Sequence, residues 1–339
     1  MAIVWWLTSA RAPEPPAPGA GTRLTTPPPS PAHSTASPLA VQDGATRSDG
    51  VVRGSWGGGG SQFGRRREPE SNPEAPMAVC ADRAGNVLVL DQVNRRVLRY
   101  RDSVRIGSFP IGSDAAQDIA FARGEHTLVL DRLADRSVLV YDRSGTLQNE
   151  LPLIGKGIPE GGSVTGLLAD EEGIYLEREH GQVVRIADPM GHADTERPEF
   201  PGRPSRDGRF WLSANIVDRT QGRLEIHATA RSGGSSWAQP IALGHTVLRI
   251  VLLESDRHGR IYVAGETGEE STNPPYAIED ERLVVVRLSS SGAHSGTLEL
   301  PPVRGPYEIM RPVTVNEEGA IYEMVATDSG LTITRYEFP

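Results

Sequence analysis

Cysteine is almost missing from this chain: Cys80 stands alone among 339 residues. One cysteine excludes an internal disulfide and any cysteine-cluster metal site. Inside the apolar run "MAVCA" it reads as a small buried hydrophobe, since nothing nearby in the sequence supplies a base to make it a nucleophile. Aromatic residues are scarce at 6%. An excess of positive charge is also missing, with 35 basic residues against 44 acidic ones and a net charge of -9. That balance argues against a nucleic-acid binder, which presents a basic patch or stripe. Arg65, Arg66 and Arg67 are consecutive, but no aromatic residue is interleaved to stack bases, so the triplet reads as a solvated loop.

Glycine and proline, by contrast, are plentiful, at 37 and 27 residues. With many short apolar runs between them they predict a turn-rich all-β protein. Nine of the prolines fall between Pro13 and Pro38 among Ala, Ser, Thr and Gly. Residues 1–49 therefore read as an extended, disordered linker that buries too little apolar surface to offset its ordering entropy. At its front, the apolar run Ala2 to Leu7 is far shorter than the roughly 20 residues a bilayer requires. Trp5 and Trp6, followed by small residues and Arg11, nevertheless look like the outer end of a membrane anchor, because tryptophans favour the interface. The expectation is an extracytoplasmic protein, periplasmic or at the cell surface, whose anchor or signal lies upstream. An intact cytoplasmic chain with an apolar tip is the alternative.

From Val51 onward a hairpin recurs. "VCADRAGNVLVLDQVNRRVLRY", from Val79 to Tyr100, returns as "DIAFARGEHTLVLDRLADRSVLVYD" and as "VTGLLADEEGIYLEREHGQVVRIAD". A degenerate copy, "PSRDGRFWLSANIVD" with "GRLEIHATA", precedes a fifth, "LRIVLLESDRHGRIYVAGETG", and a sixth, "RPVTVNEEGAIYEMVATDSGLTITRYEF". Gly208 stands where Gly173, Gly259 and Gly319 stand in their copies. Six units in about 290 residues, roughly 48 each, suit four-stranded propeller blades. The last unit has only three strands, while "VVRGSW" ahead of the first looks like a fourth. Residues 50–339 therefore read as one six-bladed propeller in which Val51 to Trp56 pair near Thr332 to Tyr336 and close the ring. Gly57 to Gly60 read as a flexible link between blades, because no Gly-Lys-Ser/Thr follows to make a phosphate loop.

The stretch from Pro76 to Tyr100 resembles an NHL repeat. Asp82, Gly85, Asn86, Asp91, Asn94, Arg95 and Val97 match its pattern, and the second copy keeps Asp131, Asp135, Arg136 and Val138. The resemblance is good over residues 51–145, fair over 247–339 and poor between. It implies architecture, because propellers of this kind include binding modules, scaffolds and some enzymes.

Loops into each first strand and between second and third strands share one face of such a ring, here called the first face. The remaining turns share the second. On this rule His180 and His245 lie on the first face and His126, His192, His258 and His294 on the second, a scatter that disfavours a histidine metal site. Asp91 and Asp131 end equivalent strands and read as caps of their own turns. The acidic insertion "GETGEESTNPPYAIEDER" reads as one long solvated loop without calcium-loop spacing. The expected function is a non-enzymatic binding or scaffold propeller, tethered at a membrane, that contacts a protein partner through its first face. Arg95, Arg136, Asp218, Tyr276, Tyr307 and Arg311 are its candidate contacts. No cofactor is expected. The alternative, implied by the resemblance, is a metal-dependent lyase or lactonase with Ca or Zn in the channel, held by Asp91, Asp118 and Asp131.

Overall fold

A computed structural model describes residues 46–274, 277–303 and 305–339, and of residues 46–51 the strand alone. The proposed linker up to residue 45, with Trp5 and Trp6, and Tyr276 lie outside the described residues. No helix among the described residues is long and apolar enough to cross a membrane.

Among the described residues the elements are strands joined by turns and three short 3-10 segments. After β1 (Thr46–Gly54), the first blade comprises β2 (Ala78–Ala81), β3 (Val87–Asp91), β4 (Arg96–Arg101) and β5 (Val104–Pro110). The second comprises β6 (Asp118–Ala122), β7 (His126–Asp131), β8 (Ser137–Tyr141) and β9 (Leu147–Pro152). The third comprises β10 (Val164–Ala169), β11 (Ile174–Arg178), β12 (Val183–Ala187) and β13 (Glu199–Phe200). The fourth, from the degenerate copy, comprises β14 (Arg203–Pro204), β15 (Phe210–Asp218), β16 (Arg223–Ala230) and β17 (Trp237–Ala242). The fifth comprises β18 (Val247–Ser255), β19 (Ile261–Glu270), β20 (Ile278–Leu288) and β21 (His294–Leu300). The sixth comprises β22 (Val313–Val315), β23 (Ile321–Thr327) and β24 (Gly330–Glu337), with β1 as its outer neighbour.

Each sheet is a four-stranded antiparallel meander, and the six together make the propeller. In the sixth, Val52 sits opposite Ile333 and Gly54 opposite Leu331. Pairing starts at Thr46, ahead of the boundary at residue 50 that composition suggested.

Local chemistry explains the recurring hairpin. In five of the six blades the turn after the inner strand carries a polar side chain that accepts its backbone N–H groups; the second blade, where β6 ends in Ala122, has none. Asp82 Oδ1 takes the amides of Ala84 at 2.9 Å and Asn86 at 2.8 Å, and Asn316 Oδ1 does the same for Glu318 and Ala320. Gly85, Gly208, Gly259 and Gly319 occupy this turn with φ between 73° and 91°, which an L side chain rarely adopts. Gly173 differs: its φ is ordinary, and a Cβ there would meet the Ala187 carbonyl at 2.9 Å.

The core is distributed as six apolar clusters, each formed between two successive blades. Val79, Val89, Leu98, Met324 and Ile333 join the sixth blade to the first, and Leu128, Val140, Ile174 and Val184 join the second to the third. The seam between the third and fourth is the smallest, with Tyr175, Val183 and Trp211 as its buried members. There Phe200 stacks on Trp211 at 4.3 Å, and the Arg231 guanidinium lies 4.1 Å from the Trp211 ring while pairing with Asp170. Geometry that aromatic and cation–π contacts reward compensates for little area.

Three loop expectations need correction. The arginine triplet is engaged by partners outside itself: Arg65 lies over Trp56, Arg67 over the distant Tyr307, and Arg66 pairs with Glu74 at 2.6 Å. The Gly57–Gly60 link is pinned, because Arg96 and Arg105 donate to the carbonyls of Gly59 and Gly60. The acidic insertion is largely strand. Glu266, Glu269 and Glu270 belong to β19, and Glu279, Asp280 and Glu281 to β20, with Glu269 opposite Glu279. The backbone ladder satisfies this hairpin whatever charges it carries outward, so charge density hid the strand period.

Candidate functional site

Charged side chains from five blades meet in the channel. Arg311, just ahead of β22, donates to Asp118 Oδ2 and to the Leu167 carbonyl at 2.7 Å each, and stands 3.6 Å from Glu254. Glu254 also takes Arg206 at 3.1 Å and the Val315 amide. Arg203 on β14 grips Glu177 on β11 through two bonds of 2.6 and 3.0 Å. A fork-to-carboxylate match of this kind is what lets opposite charges survive burial. Burial works against the Arg311 charge, but Asp118 and Glu254 outweigh it and hold its pKa above the usual guanidinium range. Burial likewise pushes the Glu177 carboxyl up, and Arg203 more than offsets this, leaving it below its ordinary value. Burial pushes the neighbouring Cys80 thiol up to about 12, so it is protonated and unreactive at neutral pH. On the second face these groups leave a space of about 100 Å³.

The first face is different. There a cleft of about 500 Å³ opens between the third, fourth and fifth blades. The middle strands of the first three blades are five or six residues long, whereas β15 and β16 have nine and eight, and β19 and β20 have ten and eleven. Because the turns joining these strands lie on the first face, the added length stands up as a wall. Ala214 and Ile216 line the cleft from β15, Leu248, Ile250 and Val251 from β18, and Met310 from the approach to β22. Two register shifts in β18, between Val247 and Arg249 and between Ile250 and Leu252, re-aim its side chains at this point. The Glu177–Arg203 pair, His180, Asn215, Arg219 and Arg249 supply the polar groups. His180 is exposed, with Nδ1 3.8 Å from Glu177, and its backbone amide is held by Thr165 Oγ1. Arg249 is held by Glu266 through bonds of 2.6 and 2.9 Å.

Of the candidate contact residues, Arg95, Arg136 and Asp218 lie on first-face turns. Arg95 and Arg136 both have φ of 52°, and Arg95 pairs with Asp114 at 3.3 Å. Asp218 accepts the Gln221 amide at the tip of the β15–β16 hairpin. The other two described candidates are turned inward. Tyr307 is buried, its ring 5.2 Å from Trp56, and Arg311 belongs to the channel network. Both precede the sixth blade's inner strand on the first face, but apolar packing claims one and two carboxylates claim the other.

The carboxylates considered for a metal are separated and occupied. Asp91 accepts from the Gly64 amide, Asn94 and Arg96, and Asp131 from Ser113 and the amides of Leu133 and Ala134. Asp118 takes the amides of Ile119 and Leu167 besides Arg311. Among the described residues no group of three or more His, Cys, Asp or Glu is placed to hold a metal ion. The sequence reading missed the cleft residues. The signal available was strand length: "FWLSANIVD" runs longer before its turn than "VLVLD" or "TLVLD".

No protein-family model matches the chain, and a comparison with curated proteins finds none that matches. Among solved structures, the chain is similar to hydrazine synthase from Kuenenia stuttgartiensis at 10% identity and a TM-score of 0.48, over 77% of this chain and 78% of that one. It is similar to a virginiamycin B lyase from Staphylococcus aureus at 11% and 0.41, over 81% and 98%. A gluconolactonase from Xanthomonas campestris aligns at 13% and 0.40, over 86% and 100%. Identities and scores this low carry no argument about activity. The six-bladed assignment rests on the chain's own sheet order.

Proposed function

We propose that this chain is a non-enzymatic, NHL-like binding propeller that seats a protein partner in the first-face cleft between its third, fourth and fifth blades. One observation carries the reading: the longest middle strands, β15, β19 and β20, belong to the two blades beside that cleft, and they wall a space lined by both apolar and polar side chains. Such a concave seat of mixed apolar and polar groups suits an anchoring side chain or loop of a partner. The carboxylates nearest the cleft hold arginines, which suits positioning more than proton transfer. Arg95, Arg136 and Asp218 extend the proposed contact surface along the same face. The reading keeps the expectation of an extracytoplasmic protein on a Pro-rich tether, which sequencing of the mature N-terminus tests.

The test is capture from native membranes with the full chain as bait. Asn215 is exposed and lines the cleft, so Asn215→Trp fills it without disturbing the core. Partner recovery is expected to fall about tenfold or more, as when a hot-spot pocket is lost. Ser103→Trp, on the second face, is expected to leave recovery unchanged. Equal recovery with both variants, or no protein above background with the unaltered chain, would overturn the reading.

A further inference from the structure

A second cavity, of about 290 Å³, lies between the first and second blades on the second face. Four arginines line it, Arg83, Arg99, Arg101 and Arg143, together with Asp82 and Glu125. Both carboxylates already have partners. Asp82 accepts from the Ala84 and Asn86 amides and from Asn86 Nδ2 at 2.7 Å, and Glu125 pairs with Arg143 at 2.9 Å. Arg83 reaches Glu171, and Arg101 donates to Asn86 Oδ1 at 2.9 Å. Arg99 is the exception: its Nε and Nη2 are buried and have no hydrogen-bond partner. Arg99 and Arg101 alternate along β4, so both stand on the side of the sheet that faces the second blade. A guanidinium does not escape burial by losing its proton, so the charge calls for an anion.

We propose that this cavity is an oxyanion site for inorganic phosphate or a small phosphomonoester. The arginines approach from β4, from the β2–β3 turn and from the β8–β9 turn, and this many-sided approach fits a tetrahedral oxyanion better than a planar carboxylate. Guanidinium forks supply the parallel N–H donors that phosphate oxygens accept. The volume greatly exceeds a water's share of roughly 30 Å³ and leaves room beyond the phosphate for a small organic group.

Calorimetric titration and thermal melting of the full chain test this, with sodium chloride matching ionic strength. Inorganic phosphate is expected to bind saturably at one site and to raise the melting temperature. Arg99→Gln is expected to weaken binding about ten- to a hundredfold, the worth of one or two charge-assisted hydrogen bonds. In phosphate-free buffer the same variant should melt no lower than the parent, because it removes a partly buried cation with two unpaired nitrogens. Arg143→Gln, at an exposed position, repeats the affinity loss without touching the interior. O-phosphoserine binding more tightly than phosphate assigns the site to an ester, and equal binding assigns it to the free ion. Absence of saturable binding above the chloride control, or unchanged affinity in Arg99→Gln, would overturn the proposal.

Discussion

The first three blades and the fourth and fifth share one strand order, yet they use sequence differently. In the first three, the middle strands stop after five or six residues: Asp131 caps its own turn, Asp91 instead binds the Gly64 amide and the Asn94 and Arg96 side chains, and a two-residue turn at Glu179 and His180 follows β11. In the fourth and fifth the ladder runs on, through Asp218 in one and Glu270 in the other. The repeat is clearest where the hairpins are short and most degraded in the fourth blade, beside the thinnest apolar seam and the larger cleft. Faithful repetition builds the ring, and departure from it builds the candidate site.

Removing residues 1–60 should break the ring itself and so give the largest effect. It strips β1 from β24 and exposes a strand of alternating Leu331, Ile333, Arg335 and Glu337 as a pairing template. It also removes buried Val52, worth ~1.5–3 kcal/mol, and Trp56, which donates to the Thr327 carbonyl at 3.0 Å. Together these amount to several kcal/mol against a typical total of ~5–15 kcal/mol. Aggregation or a large fall in melting temperature is expected, while removal of residues 1–45 leaves melting unchanged. Equal melting of the two truncations would show that β1 does not close the ring.

Glu177→Gln sharpens the contrast where a regular blade meets the irregular one. It leaves Arg203 without its carboxylate, and breaking a buried pair costs about 3–5 kcal/mol. The pH dependence is a second readout. The folded-state pKa of Glu177 lies below its ordinary value of 4.5, so its stabilisation is complete above about that pH and fades as pH falls through the lower folded value. The variant should lose this part of the acid sensitivity. A variant with the parent's acid profile would mean that Glu177 contributes nothing to it.

Trimming the fifth blade's hairpin should have the smallest effect on stability. Replacing residues 269–279 by Asn-Gly closes β19 and β20 with a two-residue turn and removes mostly exposed residues. Melting should change by the equivalent of about 1 kcal/mol or less, as for other surface changes, while partner recovery falls. Loss of folding would show that the extension serves the ring rather than the cleft.

Much of this architecture was legible in local chemistry. Turn glycines with positive φ, capping aspartates and runs such as "VLVLD" act within a few residues, so six copies announce six blades. The acidic insertion was misread because its charges masked a period that backbone pairing across the hairpin imposes. Arg311 and Tyr307 were misplaced for a related reason. A residue's position before a strand is local, but whether its side chain turns to a rim or a channel depends on partners 193 residues away at Asp118 or 21 away at Asp328.

The amino-acid sequence by itself determined the all-β character, the repeat and the position of nearly every turn, because these follow from backbone sterics and hydrogen bonds within a hairpin. Only the tertiary structure decided which charges neutralise one another in the channel, where lengthened hairpins wall a cleft, and that two buried nitrogens of Arg99 have no hydrogen-bond partner. Those outcomes depend on distances between side chains of different blades, and no period along the chain encodes such distances.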